Sequence, residues 1–285
     1  MRRDAVSKPP ATLTRSAWSN KSGSLWPSFL LLALVTLVAY VNALPNELVL
    51  DDRIFLGAGR FEQLSLLDYA GLFRQSLWEG SAGDVNLYRP MLLVSFGLQA
   101  SVFGQWLVGY HIVNVILHLI TTLLVFGFTR EILTILSDDK VLSTRASLLA
   151  AMVFGVHPVL SEAVNSVFNG SEIYVTLGAV GGLWYLLRNH AEHPVRSWLV
   201  LGLIYFVALL FRESAVSIPL LAVIAIWFTS RERWMVRVRQ CLPVLLLTIP
   251  LTIYMGMRSE ALEGPAQLAG GAGPENIQLR SEIQT

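Results

Sequence analysis

The chain has 285 residues, of which 54% are apolar and only 14% charged, and its mean hydropathy is +0.55. Soluble domains carry roughly 25% charge, so this composition excludes a water-covered globule, and its high hydrophobicity excludes a disordered chain. The near balance of 21 basic and 20 acidic residues gives no footing for nucleic-acid binding, and the single cysteine, Cys241, allows neither an internal disulfide nor a thiolate metal cluster.

A bilayer core needs about 20 mostly apolar residues per helix, with about 17 as a lower limit. The run 25–44 meets this, and Arg2, Arg3, Lys8, Arg15 and Lys21 precede it. It is long for a secretory leader and no small-x-small cleavage site follows closely, so it reads as an uncleaved first span behind a cytoplasmic tail, 1–24. Further apolar runs follow at 108–128, 146–160, 173–187, 198–211, 215–228 and 242–255. Several of these reach spanning length only with their weakly polar neighbours. Pro90–Phe103 is apolar but short, and reads as a helix packed at the membrane face or entering it partway.

The expected fold is therefore an all-α, polytopic membrane bundle of about seven spans. With the N-terminus inside, segments 1–24, 129–145, 188–197 and 229–241 are cytoplasmic and hold 14 of the 21 Lys and Arg residues, as short inner loops should. Counting Pro90–Phe103 as an eighth span would move Arg231, Arg233, Arg237 and Arg239 outside, against the same rule. The map gives a membrane domain, 25–256, with a long first outer loop at 45–107 containing short interfacial helices. It assigns 257–285 to an outer loop or disordered tail.

The first outer loop holds Asp51-Asp52-Arg53 just past span one. Adjacent carboxylates at an apolar boundary repel each other and lose solvent, which suits a general base. The plainer alternative is that Asp51 caps a turn and Asp52 pairs with Arg53. Downstream, Leu66, Tyr69, Phe73 and Leu77 recur at helical spacing within 61–78, which fits a helix lying in the interface or one packed as core. Tyr88-Arg89-Pro90 then returns to the membrane. Arg89 is one of the few outer cations whose planar fork could hold a phosphate, although snorkelling at a helix end explains it equally well.

His111, Asn114 and His118 share one face of the second span, where polar groups normally serve interhelical hydrogen bonds or a pathway. The second outer turn carries His157-Pro158, Glu162 and Asn165. It is followed by Asn169-Gly170-Ser171, which fits the N-glycosylation pattern. The third turn carries Arg212-Glu213, either a self-neutralising pair or a second phosphate contact.

Taken in order, Leu50-Asp51-Asp52, Leu77-Trp78, Tyr88-Arg89-Pro90, Gly109-Tyr110-His111 with Asn114 and His118, His157-Pro158 with Glu162, and Arg212-Glu213 before Pro219 form a set. The set resembles the transmembrane and tetratricopeptide-repeat O-mannosyltransferases and their bacterial relatives, within the C superfamily of multi-pass glycosyltransferases. It departs from that pattern at Leu50, Asn169-Gly170 and Arg212. The resemblance runs from about residue 25 to 257. It implies transfer of a monosaccharide, typically mannose, from a polyprenyl- or dolichyl-phosphate donor to a protein or glycan hydroxyl on the outer or lumenal side, with inversion.

On that resemblance Asp52, helped by Asp51, deprotonates the acceptor. Arg89 and Arg212 hold the departing phosphate, and Tyr88, His111, His157, Glu162 and Glu213 support the site. No metal ligands and no cofactor are assigned; the resemblance leaves a divalent cation open. The membrane is the bacterial inner membrane or the endoplasmic reticulum. Relatives continue into further spans and repeats, so a truncated chain is expected. A transporter or lipid-sugar flippase would use the same polar residues, but would place interrupted helices near the midplane. An inactive fragment is the third alternative.

Overall fold

A computed structural model describes residues 24–48, 51–56, 61, 64–78 and 86–269, and all regular structure among them is helical. The helices are α1 (Trp26–Tyr40), α2 (Asp51–Leu56), α3 (Leu66–Gly71), α4 (Pro90–Phe103), α5 (Leu107–Leu136) and α6 (Lys140–Gly155). They continue with α7 (Ser161–Asn165), α8 (Ser171–Asn189), α9 (Pro194–Phe211), α10 (Ile218–Thr229), α11 (Trp234–Cys241) and α12 (Thr248–Ala269). Proline opens α1, α4, α9 and α10, where its missing N–H would have no intrahelical partner. Asp139 caps α6 by accepting from Val141 N and Leu142 N, both at 2.9 Å.

Four helical stretches are long and apolar enough to cross a bilayer: Trp26–Ala43, Leu107–Leu136, Pro194–Phe211 and Trp234–Leu262. A fifth is added if Lys140–Gly155 and Pro158–Asn165, bent by 46° at their junction, are one span. α8 has 19 residues, but Glu172, Tyr174 and three glycines dilute its apolar content. Leu30, Leu34, Val38, Leu149, Val153, Leu199, Leu203, Leu220 and Ile253 all point outward from the bundle. An apolar belt of this extent has no place in water and is the surface a lipid core requires.

α5 is the central post. It packs against α1, α6 and α8, and α8 in turn packs against α9. Small residues let these axes approach: a Cβ on Gly127 would sit 2.7 Å from the Trp184 ring, and one on Gly155 would sit 2.9 Å from Thr36 Oγ1. Several of the polar groups buried here find partners inside the bundle. Thr121, Thr122 and Ser147 each donate to the carbonyl four residues back. His118 Nε2 lies 3.1 Å from Gly155 O.

The bundle has two chemically distinct ends. At one, Arg188 reaches Glu131 at 4.0 Å and Arg231 donates to Ile135 O at 2.7 Å. Arg196, Arg233, Arg237 and Arg239 belong to the same end. The other end gathers the close of α1, α2, the start of α4, the 157–172 turn and Arg212-Glu213.

Three expectations need correcting. Segment 61–78 is not one interfacial helix: α3 has six residues and passes into a tight turn of helix at Leu72–Arg74. Leu66 and Leu67 are exposed, while Leu72 and Leu77 are buried, so the apolar positions do not share one face. The stretch 234–241, expected in an inner loop, is helical and leads directly into the last span. α12 continues to Ala269, beyond the expected start of the tail at 257. Residues 1–23 and 270–285 lie outside the described residues.

Candidate functional site

The site end is organised by Asp52, in the first turn of α2. Its side chain is fully buried. Oδ1 accepts from Phe168 N at 2.6 Å and from Ser166 Oγ at 3.2 Å, and Oδ2 accepts from Val167 N at 3.2 Å. The carboxylate thus gathers the donors that open the helical turn Phe168–Gly170, the arrangement a helix start favours for an anion. Phe55, one turn along α2, stacks on Phe168 at 5.0 Å between centroids and meets Trp78 edge-on at 4.9 Å. Polar and aromatic contacts together fasten the first outer loop to the second outer turn.

This overturns the plainer reading of the acidic pair. Asp52 does not take Arg53 as its partner: Arg53 Nε donates to Leu48 O at 2.6 Å, and its Nη2 lies 3.6 Å from exposed Glu47. Asp51, which starts α2, is partly exposed. Of the two carboxylates it is the one with access to solvent.

The second turn is held from behind by α5. Asn114 Nδ2 donates to Ser166 O at 2.9 Å and approaches Val164 O at 3.4 Å. Its Oδ1 lies against Gly170, where an added Cβ would come within 2.5 Å. Gly170→Ala should therefore force Asn114 aside and cost about 1–3 kcal/mol, read as a lowered thermal midpoint of the detergent-purified protein. An unchanged midpoint would mean that this contact is slack. His111 is fully buried, and neither ring nitrogen has a hydrogen-bond partner among the described residues. The Asn46 backbone approaches the ring without meeting hydrogen-bond geometry, and Asp52 is near enough for its charge to act on it.

His157 caps its own turn, its Nδ1 accepting from Val159 N at 3.2 Å, and its carbonyl is 3.5 Å from the Tyr40 hydroxyl. Glu162 is exposed and accepts from Asn169 Nδ2 at 3.0 Å. The Asn169-Gly170-Ser171 sequence is built into this packing: Ser171 is fully buried and accepts from Arg212 Nη1 at 3.1 Å. In this fold the segment does not offer a flexible glycosylation loop.

Both arginines have carboxylate partners. Arg89, almost fully buried, directs Nε and Nη2 to one oxygen of Glu213, at 3.0 and 2.9 Å. The other oxygen, Glu213 Oε1, is buried with no partner among the described residues. Arg212 Nε lies 2.9 Å from Glu172 Oε1, and Ser214 donates to Glu172 Oε2 at 3.2 Å. The paired partner of Arg212 is thus Glu172 and not its neighbour Glu213. Tyr88 donates to Phe73 O at 2.9 Å, and burial pushes its hydroxyl pKa up to about 12, so it remains a neutral donor at physiological pH.

Sequence reasoning passed over Ser166, Ser171, Glu172 and Ser214 as site residues. Only Glu172 carried a signal, as an acid in the second outer turn. Four of the expected residues share a connected system: Asp52 binds the 166–168 turn, Ser171 and Glu172 at its far side bind Arg212, and Glu213, next in the chain, binds Arg89. An open cleft of about 390 Å³ lies beside it, lined by Asn46, Glu47, Ser161, Glu162, Asn165 and Ser166. Among the described residues no cluster of three or more His, Cys, Asp or Glu could hold a metal ion.

Four apolar helices fit an integral membrane protein, and the carboxylate–guanidinium network lies at one end of the bundle. No family model and no solved structure matches the chain. Curated relatives do. Protein O-mannosyl-transferase Tmtc1 of Drosophila melanogaster is 31% identical over 193 residues, which is 65% of this chain and 21% of the relative. Protein O-mannosyl-transferase TMTC2 of Homo sapiens is 25% identical over 238 residues, 77% of this chain and 27% of the relative. TMTC4 of Homo sapiens is 27% identical over 215 residues, 68% of this chain and 29% of the relative. These relatives, at 25–31% identity over most of the chain, support a TMTC-like O-mannosyl-transferase family. The chain spans less than a third of the length of each of these three.

Proposed function

We propose that this chain is the membrane portion of a glycosyltransferase. It moves a monosaccharide, mannose by the names of its relatives, from a polyprenyl- or dolichyl-phosphate carrier to a protein or glycan hydroxyl. The observation that carries this reading is the placement of the Asp51–Asp52 pair at the same bundle end as Arg89 and Arg212. A lipid-borne phosphosugar needs both a base and cations there. In this reading the site end is extracytoplasmic in a seven-span map, because the opposite end holds the Lys- and Arg-rich segments. The membrane is the bacterial inner membrane or the endoplasmic reticulum.

The burial and hydrogen bonding of Asp52 change its assigned part. A general base must come within about 2.6–3.2 Å of the proton it takes, and Asp52 is fully buried with Phe168 N, Val167 N and Ser166 Oγ directed at its carboxylate. Asp51 is the accessible carboxylate and takes the acceptor proton, while Asp52 positions it by fixing α2 to the second turn. The freed hydroxyl oxygen attacks the anomeric carbon as the carbon–phosphate oxygen bond breaks, so configuration inverts. Arg89 and Arg212 turn from their carboxylates toward the phosphate as its charge grows.

Two measurements test the proposal together. Membranes containing the full chain should transfer labelled mannose from dolichyl-phosphate mannose to a Ser/Thr peptide above the level of empty membranes. With Cys241→Ser as background, Asp51→Cys should react with a membrane-impermeant thiol reagent applied from the extracytoplasmic side. Labelling only from the cytosol, or transfer no greater than in empty membranes, sinks the reading.

A further inference from the structure

We infer that the cleft between the end of α1 and α7 is the acceptor subsite, and that it selects hydroxyl-bearing peptide segments flanked by basic residues. The inference rests on the glycosyltransferase reading above and adds to it where the acceptor lies and what charge it carries.

The cleft has the dimensions of a ligand site, about 390 Å³, within the roughly 300–1,000 Å³ usual for such sites. The described residues that line it are all polar or acidic, although their carbon atoms supply most of its surface: two carboxylates, Glu47 and Glu162, two carboxamides, Asn46 and Asn165, and two hydroxyls, Ser161 and Ser166. Among the described residues no lysine, arginine or histidine lines it. At its rim, exposed Arg53 stands 3.6 Å from Glu47 and offsets part of one charge. A lipid phosphate entering here would meet two carboxylates and, at the rim, one guanidinium already shared with Glu47. The donor therefore belongs with Arg89 and Arg212.

A peptide fits the same lining well. Asn165 Oδ1 is shielded from solvent and has no partner among the described residues, so it can accept from a peptide N–H or a hydroxyl. Glu47 is largely exposed and Glu162 also faces solvent, both accessible to flanking ammonium or guanidinium groups. Ser166 ties the cleft to the carboxylate pair: it lines the cleft and donates to Asp52 Oδ1 at 3.2 Å. A hydroxyl seated against Ser166 is thus one side chain away from Asp52 and beside the α2 start that carries Asp51.

The test uses the full chain in detergent and two fluorescent probes, a Ser/Thr peptide flanked by lysines and the same peptide flanked by glutamates. Anisotropy should show the lysine-flanked probe binding roughly tenfold more tightly at low salt, the scale of two exposed charge pairs. The preference should shrink as salt rises. Glu47→Gln with Glu162→Gln should abolish the preference, and Glu47→Lys with Glu162→Lys should reverse it. Both glutamates are exposed, so these variants should fold, which an unchanged thermal midpoint verifies. Equal affinity for the two probes, no saturable binding, or a preference that survives charge reversal overturns the inference. Probe binding without mannose transfer would count against the catalytic reading alone, whereas transfer without probe preference would count against the cleft alone.

Discussion

Asp52→Ala should lose both sugar transfer and fold stability, whereas Asp51→Asn should lose transfer alone. The alanine variant strips Val167 N and Phe168 N, both buried, of their acceptor. A buried donor left unmade costs about 1–3 kcal/mol, and the two together are a large part of the roughly 5–15 kcal/mol that holds a protein folded. Asp52→Asn should fall between, because its amide nitrogen would turn one donor against another. Asp51 sits partly exposed at the start of α2, so its neutral isostere should leave the thermal midpoint within error. Loss of a general base lowers rate by about 10²- to 10⁴-fold, and mannose transfer should drop by that amount in Asp51→Asn. If Asp51→Asn transferred at the wild-type rate, the base would lie elsewhere. If Asp52→Ala kept its midpoint, the carboxylate clamp would not be holding the two outer segments together.

The hydropathy of the chain announces the bundle because apolar runs are a local property: six of the seven runs lie almost wholly in helical structure, although only four helical stretches, or five with the bent pair, are long and apolar enough to span. The run 146–160 reads as one span, yet the helix stops at Gly155, where His157-Pro158 denies it a donor and the next helix sets off at 46°. What the sequence hides is pairing at a distance. Asp52 finds Phe168 across 116 positions and Arg89 finds Glu213 across 124, and no periodicity records such contacts. Adjacency misled in both directions. Arg53 stands beside Asp52 yet bonds Leu48 O, and Arg212 stands beside Glu213 yet pairs with Glu172. The apolar spacing in 61–78 misled for another reason: the chain tightens at Leu72–Arg74, which resets the phase that a continuous helix would have kept.

The arginines separate a structural from a chemical role most sharply. Arg89→Ala should remove the two donors on Glu213 Oε2 and leave a carboxylate whose other oxygen already lacks a partner. Glu213 retains some solvent contact, so the cost should be about 2–3 kcal/mol, below that of splitting a fully buried pair. On its own this variant cannot distinguish folding from phosphate binding, since both would fall. The double variant Arg89→Met, Glu213→Leu does, because replacing both members of a buried pair by apolar side chains is often neutral or stabilising. Its thermal midpoint should return to near the wild-type value. Transfer should stay depressed, with an elevated KM for dolichyl-phosphate mannose and an unaltered KM for the peptide. Restoration of donor KM along with the midpoint would make Arg89 a fastening between α4 and the third turn and leave Arg212 as the guanidinium facing the phosphate.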